Sequence, residues 1–398
     1  MALKVGIIHT YYQDKGGEDA VFEMESALIS KECAVQSLIF RNAGGAMGLL
    51  QFIISIWNPF SVRRAKNFIR QFNPDVIHIH NLHYAAGPAV IRAVKKLNVP
   101  MVYTLHNYRL LCPSGTLLNK KELFTNSIHA GFPWAAVRNK VFRNSAILTF
   151  WLSVINYFHK KAGTWKMIDQ YTVHTSFAKE TYANSSFGLP AQQFTVKPNF
   201  VKPVSTSGAA FREKHFLFIG RLAEEKGIRF LLDTFSNSGH VLKIAGDGPM
   251  KKDVLEACSH AANIQYMGPL QKEAVEKEMT TCAALIFPSI WYECMPMTLL
   301  ESLSAGTPVI ATRLGVMTSI ITNGYNGLLV EPHNSTDLKE KLDAWTALPE
   351  AEKARFYDNC KSSYADNYTP EKNREMLLNI YSSVVKSKPA EVLAEALL

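Results

Sequence analysis

Twice along this chain, short apolar runs alternate with helical stretches, and one Pro-, Ser- and Gly-rich segment divides the two series. In the first series, Leu3–His9 reads as a buried strand and Gly16–Ser30 as a helix behind a glycine turn. Val76–Ile79 is a strand introduced by Asn73-Pro74-Asp75, Pro88–Leu97 a helix and Met101–Leu105 a strand, with Tyr171–His174 and Thr195–Lys197 as the last strands. The divider is Pro198–Ala210, PNFVKPVSTSGAA, with the composition of a linker. Beyond it, strands are expected at Phe216–Ile219, Val241–Ala245, Ile264–Tyr266, Ala284–Phe287, Val309–Ala311 and Gly327–Val330. Alternation of this kind produces parallel sheets covered by helices on both faces. The expected fold class is therefore α/β, with two doubly wound Rossmann-like domains facing a central cleft. The boundaries predicted are 1–204 for the first domain, 205–369 for the second, and an amphipathic helix at Pro370–Lys386 with a tail to residue 398. In open parallel sheets ligands bind beyond the carboxyl ends of the strands, so motifs at those ends matter most.

At 398 residues, 47% apolar and 19% charged, the chain has the balance of a well-buried enzyme and excludes a disordered protein. The net charge of +9 suits an anionic partner, whether phosphorylated small molecule, membrane surface or nucleic acid. No dense Lys/Arg block of a nucleic-acid binder is present, so no nucleic acid is expected. The six cysteines contain no CxxC pair, which argues against a zinc site or a disulfide framework. The start, MALKVGIIHTYY, reads as a strand rather than a leader, and no apolar run reaches the ~20 residues of a spanning helix. A cytoplasmic protein is expected, with the inner face of the membrane as one setting.

The strongest chemical signal is Trp291-Tyr292-Glu293-Cys294-Met295-Pro296-Met297-Thr298-Leu299-Leu300-Glu301, which follows the strand ALIFPS. Proline is favoured at the first position of a helix, and a start at Pro296 leaves the N–H groups of Met297 and Thr298 unpaired. With the helix dipole they form an anion site suited to a pyrophosphate. Glu293 then lies in the preceding loop and Glu301 in the second turn, placed to bracket a ligand between sugar and ribose. The plain alternative is a solvated loop charge and a helix-stabilising carboxylate.

A second signal is Phe218-Ile219-Gly220-Arg221-Leu222-Ala223-Glu224-Glu225-Lys226-Gly227. Arg221 emerges from a strand's carboxyl edge and Lys226 follows near the next helix, so two cations converge where a diphosphate leaving group would need neutralising. A surface ion-pair cluster with Glu224 and Glu225 is the rival reading. In YYQDKGGE, Gly16 and Gly17 permit a tight turn and close backbone approach to phosphate or sugar. GxGxxG is absent, which speaks against a dehydrogenase.

His78, His80 and His83 surround one strand end and His106 follows another. No acidic residue intervenes at metal-ligand spacing, so polar lining is favoured and no metal is expected. His106, in Thr104-Leu105-His106-Asn107-Tyr108-Arg109, is the best candidate for contact with sugar or acceptor, a structural histidine being its rival. Residues 123–168 carry no acidic side chain, while Arg138, Lys140, Arg143, Lys160, Lys161 and Lys166 flank the run AILTFWLSVINYF. Most of that run reads as core helix, its basic flanks facing a membrane or an anionic acceptor.

Together these pieces resemble the family-4 group of retaining GT-B glycosyltransferases. PDVIHIHN and TLHNYRLLCPSG resemble motifs of the acceptor-side domain; FIGRLAEEKG, IAGDGP, the E-x7-E element, ESLSAGTPVIAT and NGLLVEP resemble those of the donor-side domain. The order and spacing of these motifs run along nearly the whole chain. The resemblance implies that Arg221 and Lys226 bind the donor diphosphate, Glu301 the ribose, and Glu293 the donor sugar, with Met297 and Thr298 offering N–H groups. Gly16, Gly17 and His106 would come from the facing domain, where His83, Asn107, Tyr108 and Arg109 would line the acceptor side. The last helix would cross back to the first domain. Many members read E-G-F-G where this chain has Glu293-Cys294-Met295-Pro296, which puts backbone contacts there in doubt.

The implied activity is a hexosyltransferase moving a sugar from a UDP- or GDP-sugar to a glycan or lipid-linked acceptor, with retention, in surface polysaccharide or glycoconjugate assembly. No cofactor or obligatory metal is implied, and a phosphate oxygen of the donor would take the acceptor proton. The rivals are a nucleotide-sugar epimerase or hydrolase on the same fold and a non-catalytic binding scaffold.

Overall fold

The computed structural model describes residues 2–13, 16–120, 122–204 and 212–387. They form two compact units. The first takes the described residues up to Lys120, then 124–198 and those from Asn373 onward; the second takes 122–123 and 199–372.

The first unit is built on six parallel strands, β1 (Lys4–Tyr11), β2 (Ala34–Arg41), β3 (Val76–Ile79), β4 (Met101–Leu105), β5 (Gln170–Val173) and β6 (Phe194–Val196). Their order is β2-β1-β3-β4-β5-β6. β3 and β4 are buried along their whole length, as sheets covered on both faces require. Its helices include α1 (Gly17–Ile29), α2 (Gly45–Ile54), α3 (Pro59–Phe72) and α4 (Ala146–Lys161). β2 carries no strand signal in the sequence because it is a sheet edge, exposed or half-exposed at six of eight positions. α3 opens at Asn58, whose Oδ1 accepts from the N–H groups of Phe60 and Ser61, followed by Pro59 in the first turn. It closes on Asn73 in the left-handed region at φ 50°.

In the second unit the strands are β7 (Phe216–Ile219), β8 (Leu242–Ala245), β9 (Ile264–Gly268), β10 (Ala284–Phe287), β11 (Val309–Thr312) and β12 (Gly327–Val330). They pair in parallel in the order β9-β8-β7-β10-β11-β12. α5 (Met297–Ser304) follows β10 and buries Leu299, Leu300 and Leu303 against one face of the sheet, while Phe216, Phe218, Leu231 and Ile286 fill the other.

The division falls at Pro198/Asn199, ahead of the expected 204/205, and the reason is packing. Val201 and Val204 are buried in the core of the second unit, Tyr364 donates to the Val201 carbonyl at 2.9 Å, and the Val204 N–H donates to Ser304 Oγ at 2.9 Å. Residues 205–211 of the expected linker, and the tail from 388, lie outside the described residues. The last helix, α6 (Pro370–Lys386), belongs to the first unit from Asn373 on, where Leu377, Ile380, Tyr381 and Val384 pack with Val5, Ile7 and Val76.

In each sheet the chain first winds one way and then the other. The reversal lies between β1 and β3 in the first unit and between β7 and β10 in the second. The crevice outside the carboxyl ends of those strand pairs is where doubly wound sheets bind ligands.

Candidate functional site

At the reversal of the second sheet, the loops after β7 and β10 are tied together. Glu225 presents its carbonyl to the Ile290 N–H at 3.0 Å and to Ser289 Oγ at 3.2 Å. Gly227 allows this approach: its φ is +73°, and a Cβ there would stand 2.0 Å from the Pro288 carbonyl oxygen. The junction delivers Lys226 Nζ to Glu293 Oε1 at 2.6 Å, and Ser289 Oγ donates to the same carboxylate oxygen at 2.7 Å. The ammonium also lies 5.4 Å from the Trp291 ring centroid and 5.7 Å from that of Phe287. Arg221, 67% exposed, has Glu225 at 3.9 Å, while Glu224 pairs with Arg229 instead. The sequence motif Gly246-Asp247-Gly248 serves this site by packing: a Cβ on Gly246 would stand 1.9 Å from the Gly220 carbonyl oxygen. That contact steadies the turn from which Arg221 projects, with the Leu222 N–H bonded to Asp247 O at 2.9 Å.

Pro296 caps α5 rather than opening it, and Met297 is the first helical residue. The first intrahelical bond runs from the Leu299 N–H to Pro296 O at 3.2 Å, leaving the N–H groups of Met297 and Thr298 ahead of it at the helix start. Met295 is buried in the core of the unit, and that anchor holds the loop between Glu293 and α5. Glu301 sits one turn into α5, its pKa raised by burial, opposed by Lys272 and assisted by Glu276.

In the first unit the residues at the reversal converge on a carboxylate that the motifs did not single out, Glu18. Asn81 Nδ2 donates to Glu18 Oε1 at 2.8 Å and Asn107 Nδ2 to Oε2 at 3.2 Å. Both amides are themselves fixed. Asn81 also bonds the Thr10 carbonyl and the His83 N–H, and Asn107 Oδ1 accepts from the Arg109 N–H. Burial pushes Glu18 up to about 7, with Asp19 adding to the rise and Arg109 opposing it. Arg109 Nη1 bonds Tyr84 Oη and the Pro113 carbonyl, and its guanidinium faces the Phe142 ring at 5.5 Å. Tyr108 is buried with its ring stacked on Tyr182, inside the fold rather than on the pocket. Gly16 caps α1 in extended conformation, its N–H held by Asp19 Oδ2 at 2.9 Å. A Cβ on Gly16 or Gly17 would meet nothing within 4 Å, so open space lies over both. The signal for Glu18 was present as a carboxylate in the first turn of a helix behind a strand end.

His106 lies inside a chain of rings. The Lys197 carbonyl, which can only accept, receives His174 Nδ1–H at 3.3 Å. His174 Nε2 then accepts from His106 Nδ1 at 3.2 Å, and His106 Nε2 from His80 Nδ1 at 3.1 Å. Burial lowers the pKa of all three, helped for His106 by His174 and Lys197, so the rings are neutral and their tautomers follow from the carbonyl. Both nitrogens of His106 are thereby engaged within the protein. At the far end His80 Nε2 faces Glu25 Oε2 at 3.7 Å, and Glu25 is paired with Lys197 in a fully buried ion pair.

Glu25, His78 and His80 offer ligand atoms within 4.8 Å of one another. Yet His78 already bonds Tyr381 Oη at 2.8 Å and Thr104 Oγ1 at 2.7 Å. A cation there would displace the Lys197 ammonium and break one of these bonds, so the donor set suits the ion pair better than a metal.

α4 buries Leu152, Ser153, Ile155 and His159 but leaves Ile147 80% exposed, with Phe150 and Phe158 also exposed. It touches α2 through Trp151 Nε1, which donates to the Phe52 carbonyl at 3.2 Å. α2, the turn after it and the first turn of α3 expose Met47, Leu49, Leu50, Ile53, Trp57 and Phe60. The expectation of a mainly buried run therefore holds for one face of α4 only. Among the described residues no single helix is long and apolar enough to cross a membrane, and the pair α2 and α3, which passes by length and composition together, is bent by 77°.

Comparison with known proteins agrees with this geometry. A family model described as Glycosyltransferase Family 4 matches residues 47–204, and one described as Glycosyl transferases group 1 matches residues 206–362. The chain belongs to the family-4 glycosyltransferases of GT-B fold. Over 128 residues it is 34% identical to an uncharacterised glycosyltransferase of Methanocaldococcus jannaschii, covering 32% of this chain and 36% of that one. Over 225 residues it is 26% identical to the O-antigen chain mannosyltransferase C of Escherichia coli, covering 54% of this chain and 59% of the relative. The chain thus matches from about one third to three fifths of the length of these curated relatives. Anabaena HepE, solved in complex with UDP, superposes with a TM-score of 0.69 at 16% identity, over 96% of this chain and 100% of that one. At that identity the likeness speaks for the GT-B fold.

Proposed function

We propose that this family-4 glycosyltransferase moves a sugar, with retention of configuration, from a nucleoside diphosphate donor to a hydroxyl of a glycan or lipid-linked acceptor in surface polysaccharide assembly. The observation that carries the reading is the Lys226–Glu293–Ser289 cluster at the reversal of the second sheet. Close to it in sequence is the helix start whose leading N–H groups, on Met297 and Thr298, have no intrahelical partner. Lys226 and Arg221 take the diphosphate, with the N–H groups of Met297 and Thr298 as further donors, and the charge that develops on the leaving group is neutralised without an obligatory metal. Glu293 orients Lys226 and lies against the donor sugar; Glu301 accepts from the ribose hydroxyls. The acceptor meets the first unit at His83, Asn107 and Arg109, with His106 supporting the pocket.

The UDP and UDP-glucose complexes of Anabaena HepE and the O-antigen mannosyltransferase of Escherichia coli support a nucleotide-sugar donor and a polysaccharide setting. The exposed apolar side chains of α2 and α4, with exposed Arg63, Arg64, Lys140 and Arg143 near them in sequence, suit the headgroup region of an anionic membrane and so a lipid-linked acceptor.

The test is product analysis. The protein is incubated with UDP-glucose, UDP-N-acetylglucosamine and GDP-mannose, with EDTA, in the presence and absence of a glycolipid extract. Acceptor-dependent glycoside formation by one donor is expected, with the anomeric configuration read by NMR. Free sugar released equally with and without acceptor would replace the transferase by a hydrolase, and failure to bind any nucleotide would replace it by a scaffold.

A further inference from the structure

A cavity of about 340 Å³ opens in the first unit, and the reading above leaves it without a use. All of its lining residues belong to that unit. They follow the carboxyl ends of β1, β2 and β3, or stand on α2 and around the start of α4. The volume falls within the roughly 300–1,000 Å³ of small-molecule sites. Its wall carries the rings of Tyr84 and Phe142 and the amides of Gln13, Asn42 and Gln51, with the exposed Arg143 at the rim. Two of the amides are anchored to backbone. Asn42 Nδ2 donates to the His83 carbonyl at 3.0 Å and its Oδ1 accepts from the Ala85 N–H at 3.0 Å, while Gln51 Oε1 accepts from the Ala43 N–H at 2.8 Å. An amide has two N–H donors and two acceptor lone pairs, so each keeps capacity beyond those bonds. Tyr84 and Arg143 both stand in the left-handed region, at φ 56° and 51°. Bulky residues enter it at a cost, and such residues gather at ligand sites. Tyr84 Oη also accepts from Arg109 Nη1 at 3.1 Å, which ties the wall to a residue expected on the acceptor side.

Leu49, 52% exposed, lines the cavity and also belongs to an apolar face. Ten of the thirteen large apolar side chains exposed among the described residues lie within 33–74 and 124–168. The two segments pack together. Trp151 Nε1 donates to the Phe52 carbonyl, His159 Nε2 donates to the Ile56 carbonyl at 2.8 Å, and the Phe52 and Phe142 rings stack at 6.0 Å. α2 has no charged residue and buries only Phe52. The segments hold eleven bases and no acid against a net charge of +9 for the whole chain, so the remainder is net acidic. Apolar side chains set among bases fit the headgroup layer of an anionic bilayer. A second copy of the chain would set these bases against one another, which like-charge repulsion opposes.

We propose that this face rests on an anionic bilayer and that the cavity receives the sugar and phosphate head of a lipid-linked acceptor. The apolar C–H side of the sugar lies against the Tyr84 and Phe142 rings, and its hydroxyls meet the amides of Gln13, Asn42 and Gln51. Arg143 takes the phosphate, and the lipid chain leaves past Leu49 and Leu148 into the bilayer. The proposal rests on the glycosyltransferase reading above and narrows its acceptor to one presented from the membrane.

The experiment is flotation of the full chain on phosphatidylcholine vesicles. They carry equal mole fractions either of phosphatidylglycerol or of a polyprenyl phosphate bearing glucose, galactose, mannose or N-acetylglucosamine. Each of these lipids adds one negative charge, so charge alone gives no preference among them. Binding to phosphatidylglycerol vesicles is expected to exceed that to phosphatidylcholine alone by on the order of tenfold and to weaken with added salt. Ile53→Glu is expected to lose on the order of tenfold in vesicle affinity. At least one sugar lipid should bind on the order of tenfold more tightly than phosphatidylglycerol. Gln13→Trp, which fills the cavity from an exposed position, should remove that preference and keep the binding to phosphatidylglycerol. Equal affinity for phosphatidylglycerol and all four sugar lipids overturns the proposal, as does a preference that Gln13→Trp retains or an Ile53→Glu protein that floats like wild type. Dimerisation without vesicles, seen by light scattering and abolished by Ile53→Glu, would make the face an interface between copies and overturn it too. Nucleotide binding is followed by thermal melts on the same preparations. Its absence in a wild type that still prefers a sugar lipid counts against the transferase reading and not against the cavity.

Discussion

Replacing Lys226 with Met tests the donor site most directly, because a single ammonium is asked to do two things. It holds Glu293 at 2.6 Å, and in the proposed complex it meets the diphosphate. Its side chain is 21% exposed and that of Glu293 7%, so the pair is shielded but not fully dehydrated. A hydrogen bond to a charged group contributes about 1.5–3 kcal/mol, and 2 kcal/mol corresponds to roughly 30-fold in Kd. At a nucleotide concentration of 100 times the wild-type Kd, wild type gains about 2.7 kcal/mol of stability. The variant, with the same ligand at about three times its own Kd, gains about 0.9 kcal/mol. For a unit of this size 1 kcal/mol moves Tm by roughly 2–4 °C, so a shift of roughly 5–11 °C shrinks to roughly 2–4 °C. Thermal melting with UDP, GDP and ADP reads this out. Without ligand the variant also melts lower, since Glu293 keeps only its bond to Ser289. A variant stabilised by nucleotide as fully as wild type would refute the placing of Lys226 on the diphosphate.

Three further outcomes rest on particular contacts. Glu18 is raised from its ordinary 4.5 to about 7, so the folded state keeps a proton that the unfolded chain has lost between those values, and stability falls as pH rises through that window. Glu18→Gln removes that titration, so the fall in stability between pH 4.5 and 7 should be shallower in the variant than in wild type, as a pH series of denaturant melts would show. Lys197→Met strands the buried Glu25 carboxylate and should destabilise by about 3–5 kcal/mol, while adding Glu25→Gln recovers part of the loss; a single variant within 1 kcal/mol of wild type in denaturant melts would contradict it. Gly227→Ala forces a side chain into φ +73° and against the Pro288 carbonyl, a penalty of about 2–5 kcal/mol that differential scanning calorimetry should assign to the second unit's transition.

The sequence by itself determined the alternation of strands and helices, because period and apolar runs are local, and strands such as β7 (FLFI) and β10 (ALIF) carry an unbroken apolar run. It also put the start of α5 within one residue, at Pro296 where Met297 opens the helix, and set Lys226 and Glu293 after strand ends, where the fold pairs them, since strand ends, prolines and charges at fixed spacing are visible in one dimension. The edge strand β2 escaped because an exposed edge has no burial to impose a pattern. The exposed face of α4 escaped because an apolar run does not record which side of a helix finds a partner.

Only the tertiary structure decided which polar groups share a site. Glu18 meets Asn81 across 63 positions and Asn107 across 89, and Lys197 meets Glu25 across 172. His106 looks like a free ligand in its motif and proves to be bonded through both nitrogens to His80 and His174. The physical reason is one of range. Helix and strand propensities act between near neighbours, whereas desolvation and hydrogen-bond pairing depend on what the folded chain brings within about 3 Å.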